Sequence, residues 1–212
     1  MFVKLVGNNV IQYPSDPKSE NPNVSFPDNW NGGVVDGYTY SYVQTPGAPS
    51  VNLGWIAVST NTIYKEGNSW YTAWESKLAP QEELESIIAN KRYQVEVGGI
   101  AVNGYIYSTD RDSQTKYVGV SLNIDQLANA DSFSINWKVV DINYPSSTDV
   151  KNTFVTLNAS QFKNVANLVF SYVQKAFNKE AYYLNLIRTS NTEVLKQVDF
   201  NSGWPTNGEA SD

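Results

Sequence analysis

Asn158-Ala159-Ser160-Gln161-Phe162-Lys163-Asn164-Val165 opens the most decisive stretch of the chain, and Val169, Tyr172, Val173, Ala176, Phe177, Leu184 and Ile187 continue its apolar rhythm. An Asn followed three residues later by Gln is a capping box, in which each side chain satisfies a backbone N–H at the helix start. The apolar positions then recur at spacings of three and four, tracing one stripe on a helix. The spacing predicts a helix from Asn158 to about Arg188 that anchors a C-terminal core, with the whole stripe, Phe177 included, facing inward.

Working outward, Phe133 to Val140 and Asn152 to Leu157 read as two strands around a polar loop, Asn143 to Lys151. Upstream, Thr109-Asp110-Arg111-Asp112 precedes Tyr117, Val120, Ser121, Ile124 and Leu127, which recur at helical intervals. Ile100 to Val102 and Tyr105 to Ser108 flank Asn103-Gly104, the strongest short hairpin signal. Pro80 suits a first helical position, and Gln81, Glu82, Glu83 and Glu85 place negative charge where the helix dipole favours it. A helix from about Pro80 to Val97 follows, stopped by Gly98-Gly99. Beyond the long helix, Thr192 to Val198 reads as a short one, and the chain closes on Gly203-Trp204-Pro205 and a polar ending, Thr206 to Asp212. Such endings fray unless a neighbour holds them, so their ordering is expected to need one.

The first 79 residues read as β-rich. Phe2 to Val6 and Val10 to Tyr13 form a hairpin around Gly7-Asn8-Asn9, and Tyr38 to Val43, Gly54 to Ser59, Thr62 to Glu66 and Ser69 to Ser76 are short strands. Trp70 and Trp74 share one face of the last of these. Between them lies a segment with Pro14, Pro17, Pro22 and Pro27, which is expected to run extended over a surface, free of helix. The expected fold is therefore α+β: short antiparallel hairpins, a long C-terminal helix and one or two further helices. The expected division is 1–79, carrying the proline-rich segment 14–28, and 80–212. No internal repeat is evident.

With 41% hydrophobic residues the chain can bury a core without staples, and its 17% charged fraction is low, the balance being made up by Asn, Ser, Thr, Tyr and Gly. Surfaces of that kind meet partners without desolvating full charges. A net charge of -6 with no clustered Lys or Arg argues against nucleic acid, which needs a basic face. The start, Met1 to Gly7, is too short for a signal core, and no run approaches the roughly 20 apolar residues of a membrane span. The expected place is the cytoplasm until something carries the protein out.

Acid–base and nucleophilic catalysis draw most often on His and Cys, and the chain has neither. Asp110-Arg111-Asp112 can be drawn as an acid pair of the kind glycosidases use, but a helix start with its caps is the simpler reading. No metal or phosphate motif stands out, so no cofactor and no enzyme activity are expected. The six tryptophans and many tyrosines leave three roles open: core, protein interface or sugar platform.

Two stretches carry a resemblance. Tyr13-Pro14 followed by Glu20-Asn21-Pro22-Asn23-Val24-Ser25-Phe26-Pro27 is similar to the opening of many bacteriophage proteins encoded beside tail fibres. Gly99-Ile100, Thr109 to Gln114, Trp137-Lys138, Leu157-Asn158-Ala159 and Gly203-Trp204-Pro205 resemble a domain of unknown function from phage tail-fibre and tail-fibre-assembly proteins. Together they cover about Met1 to Asn29 and Lys91 to Pro205, and the part from Lys91 is expected to fold on its own. The usual Tyr-Pro-Tyr-Ser start is here Tyr13-Pro14-Ser15, and Trp30 to Ala79 matches neither pattern. The resemblance implies a tail-fibre assembly chaperone or a structural tail component, located in the virion tail, with a fibre or baseplate protein as partner and self-association as a further possibility. Tyr13, Pro14, Asn21, Pro22, Phe26, Pro27 and Trp30 are the expected contacts, with Phe26 and Trp30 as apolar anchors. The alternative is a receptor-binding module for host surface glycan.

Overall fold

The computed structural model describes residues 1–142 and 152–207. The polar loop Asn143 to Lys151 and the last five residues of the polar ending lie outside the described residues. The chain divides into two compact units, Met1–Ala79 and Pro80–Asp212, and its class is α+β.

In the first unit, β1 (Phe2–Val6) and β2 (Asn9–Ser15) form the opening hairpin. Strands β3 (Gly32–Val35), β4 (Tyr38–Gln44), β5 (Trp55–Glu66) and β6 (Ser69–Leu78) complete a six-stranded sheet of order β2-β1-β4-β6-β5, with β3 also on β4. Strand β5 is continuous where two strands are expected, with an irregularity between Ser59 and Ile63 that accommodates the polar residues there. The sheet is not wholly antiparallel: β4 meets β6 in parallel at Val43 and Gln44. Val3, Leu5, Val43 and Trp70 form its buried cluster, with Tyr13 and Ile63 packed against it.

A one-turn helix, α1 (Pro17–Glu20), departs from the expectation of an extended, helix-free proline segment, and β3 is a strand that was not expected. Pro17 occupies the first turn, where its missing N–H costs nothing, and Asp16 caps the turn by accepting from the Lys18 N–H. Prolines forbid a helix only in its interior. Pro14 lies within β2, after a cis Tyr13–Pro14 peptide bond.

In the second unit α2 (Gln81–Glu96) leads to the hairpin of β7 (Ile100–Val102) and β8 (Tyr105–Tyr107). Asn103 and Gly104 take positive φ angles of 50° and 81°, as the two-residue turn requires. Helix α3 (Arg111–Gln126), a 3-10 turn at Ala130–Ser132, β9 (Ser134–Asp141), β10 (Asn152–Asn158), α4 (Ala159–Thr189) and the one-turn α5 (Thr192–Leu195) follow. The sheet order is β10-β9-β8-β7. Phe162, Val165, Ala166, Val169, Tyr172 and Val173 of α4 pack on Ile100, Tyr107, Tyr117, Val139 and Leu157 to make the core.

The capping box at Asn158 and Gln161 is present in both directions. Phe177, however, is 42% exposed and lies off the buried stripe, its ring under the Arg92 guanidinium at 4.6 Å. The inward position is Ala176, and a step of one residue turns the side chain by about 100°. Tyr183, on the inward side, is buried instead.

A unit starting at Lys91 would cut α2 in two. Leu84 and Ile88 of α2 are wholly buried, Arg188 of α4 forms a two-bonded pair with Glu85, and Arg92 bonds both Glu96 and Glu180. The folding unit therefore includes the whole helix.

Candidate partner-binding site

The proline-rich segment is held on the first sheet by a carboxylate. Glu20, at the end of α1, accepts from Lys4 Nζ at 2.8 Å, from the Ser15 hydroxyl at 2.5 Å and from the Tyr40 hydroxyl at 3.1 Å. Gln12 Nε2 and the Asp16 N–H also donate to it, at 3.3 and 3.2 Å. Burial works to raise the Glu20 carboxyl, but the bonds from Lys4, Ser15 and Tyr40 outweigh it and hold the group below its ordinary value. The same bond from Lys4 to Glu20 raises the ammonium of Lys4. Asn21 continues the attachment, donating to the Pro17 carbonyl and to Tyr40.

Past this hub the chain makes two turns, closed by Val24 N–H on the Asn21 carbonyl and Trp30 N–H on the Pro27 carbonyl. Trp30 ends the segment in an aromatic cluster: its ring lies 5.0 Å from Phe2, 4.8 Å from Phe26 and 6.3 Å from Tyr40. The expected contact residues thus separate into two sets. Tyr13, Asn21, Phe26 and Trp30 are half-buried against their own unit, whereas Pro14, Pro22 and Pro27 are exposed, as are Asn23 and Val24 between them. Phe26 and Trp30 serve first to fasten the segment to the sheet. Glu20 and its partners Lys4 and Tyr40 were not legible as a site, because a Lys at residue 4 and a Tyr at residue 40 meet only across paired strands.

Asp110 stands at the start of α3. It caps α3, accepting from the Ser113 N–H and hydroxyl at 2.9 Å each and from the Ser108 hydroxyl at 2.5 Å. The Ser108 hydroxyl and the Ser113 amide depress its carboxyl to about 2. Thr109, wholly buried, accepts from the Gly99 N–H at 2.9 Å and donates to the Glu96 carbonyl, tying the end of α2 to the start of β7. Gly99 itself has φ +79°, and a Cβ there would lie 2.7 Å from Ile106 Cγ2. Trp137 donates to the Tyr117 hydroxyl at 3.1 Å, and Trp204 donates to the Phe200 carbonyl while its ring lies tilted against Tyr183. The motifs Gly99-Ile100, Thr109 to Gln114 and Gly203-Trp204-Pro205 therefore have structural work in this unit.

Among the described residues no group of three or more acidic side chains is placed to hold a metal, and no helix is long and apolar enough to cross a membrane. No curated protein and no solved structure matches the chain. One family model does, that of Domain of unknown function (DUF4376), over residues 79–201. That match begins at the junction of the two units and takes in α2 through α5, and it covers more than half of the chain, which therefore belongs to the DUF4376 family.

Proposed function

We propose that this chain is a non-enzymatic protein of the bacteriophage tail that associates with the tail fibre, as an assembly chaperone or as a component retained in the virion. The observation that carries the reading is the ridge of Pro22, Asn23, Val24 and Pro27, exposed on a segment whose two ends are pinned by Glu20 and Trp30. A ridge ordered before binding loses little entropy on docking. The resemblance of this stretch to proteins encoded beside tail fibres supplies the partner class. Intertwined β-rich fibre chains expose unpaired edges before they register, and a bound helper shields them.

The test is co-expression with the fibre protein encoded beside it. Soluble yield of the fibre should rise, and the two should co-purify. Val24→Asp combined with Pro27→Ser, both at exposed positions, should weaken the complex without lowering the melting temperature. A fibre that folds equally well alone, beside virions containing this protein in fixed copy number, would leave only the structural role. A second reading, a receptor-binding module for host glycan, is favoured by the stacked Tyr64–Tyr71 pair, whose rings lie 5.6 Å apart with Tyr64 exposed. Binding to a glycan array that Tyr64→Ala abolishes would establish it.

A further inference from the structure

Strand β9 is paired along one flank and largely bare along the other. On the β10 side seven consecutive positions, from Ser134 to Val140, have partners. On the β8 side the pairing is confined to Tyr105↔Asp141 and Ile106↔Val140, after which β8 ends and the chain turns off into α3. From Ser134 to Val139 this flank of β9 has no strand partner among the described residues. A strand so exposed presents backbone N–H and C=O groups to any chain that can lie beside it.

The gap is a real cleft, about 500 Å³ in volume, bounded by β9 on one side and by Gly98, Ser108 and the first turns of α3 on the other. Its polar lining is unequal in what it has left to offer. Asp110 is already saturated by three donors and spent on capping α3. Lys116 on α3 and Lys138 on β9 both line the cleft, are exposed, and have no ion pair among the described residues. Phe154, 66% exposed on β10 and the cross-strand neighbour of Lys138, lines the cleft from across β9. Trp137 also lines the cleft and packs its ring on Tyr117 and Phe162, so the slot borders the core at that point.

We propose that this cleft takes an extended, carboxylate-bearing peptide segment, which adds as a strand to the free flank of β9 and sets its acidic side chains against Lys116 and Lys138. Backbone pairing gives affinity without regard to sequence, and side chains at alternate positions give selectivity. A guest strand lies about 4.8 Å from its host, and six free residues accept a segment of about 20 Å. The identity of the partner rests on the tail-fibre reading: an unregistered fibre chain is a source of such strands. The slot itself does not.

The probe is a capped peptide of about six residues alternating valine with aspartate, titrated into the full ¹⁵N-labelled chain. Saturable shifts should appear at the amides of Ile135 to Val139 and at Lys116. A twin N-methylated at alternate residues should bind about tenfold more weakly, as should the lysine-for-aspartate twin. Lys116→Glu with Lys138→Glu should reduce affinity by a similar factor while the melting temperature holds, both positions being exposed. Absence of saturable binding, shifts confined elsewhere, or binding indifferent to N-methylation would overturn the proposal. So would a concentration-dependent dimer that the double reversal abolishes, which would assign the slot to a second copy. Failure of the fibre to co-purify, with peptide binding intact, sinks the tail-fibre reading and spares the slot. Fibre rescue undiminished by the double reversal, with peptide binding intact, removes the fibre as the occupant and likewise spares the slot.

Discussion

At the scale of single residues, the first unit turns on one carboxylate and one indole. Trp30 closes an aromatic cluster of Phe2, Phe26 and Tyr40, so Trp30→Ala should cost about 2 kcal/mol in chemical denaturation, less than a fully buried tryptophan because the ring is half-exposed. It is a lesion of the fold and cannot serve as a clean test of partner contact. In the second unit Asp110 has a depressed carboxyl, about 2 against an ordinary 3.8. A group with a lowered folded value contributes stability above its unfolded value and loses it as pH falls through the folded one. Asp110→Ala should therefore cost about 1 kcal/mol at neutral pH, and its effect should vanish as pH falls from about 4 to about 2. Urea melts of both proteins across that range check it; a difference that persists at pH 2 would contradict the assigned role. The Asp110 cap was readable from one short string because donor and acceptor are three residues apart. The Glu20 hub was not, since its donors come from residues 4, 15 and 40.

At the scale of elements, local text was reliable wherever the deciding interaction is local. Capping at Asn158 and Asp110, the Asn103-Gly104 turn and the Gly98-Gly99 stop each depend on a few adjacent residues, and each element lies close to its expected bounds. The stripe of α4 was legible in its first half and misassigned at Phe177. A 31-residue helix passes several neighbours, and which side is inward along its second half depends on what packs there. Phe162→Ala should cost about 3–5 kcal/mol, whereas Phe177→Ala should cost about 1 kcal/mol or less, since it loses mainly the Arg92 contact. Thermal melts of the two variants side by side decide the assignment. Strand β3 and helix α1 were missed for a related reason. Glycines at 32 and 33 carry no strand propensity and pair because β4 offers an edge, while α1 exists because Glu20 is gripped at its end.

At the scale of the whole chain, the two compact units give a test by dissection. A fragment of residues 80–207 should fold with the helical signature of α2, α3 and α4, whereas one of residues 91–205 should not, having lost Leu84, Ile88 and the Glu85–Arg188 pair. Circular dichroism and thermal cooperativity of both fragments measure this, and a cooperative melt from the shorter one would show α2 to be dispensable. The α+β class and the long capped helix followed from the sequence by itself, because periodicity and capping act over a few residues. What covers each face was decided only in the tertiary structure: Trp30 turned onto Phe2, Phe177 turned out to Arg92, β4 laid parallel to β6, and one flank of β9 left, among the described residues, without a strand partner beside two lysines that form no ion pair there. Those outcomes depend on contacts between residues tens of positions apart, whose register no local pattern encodes.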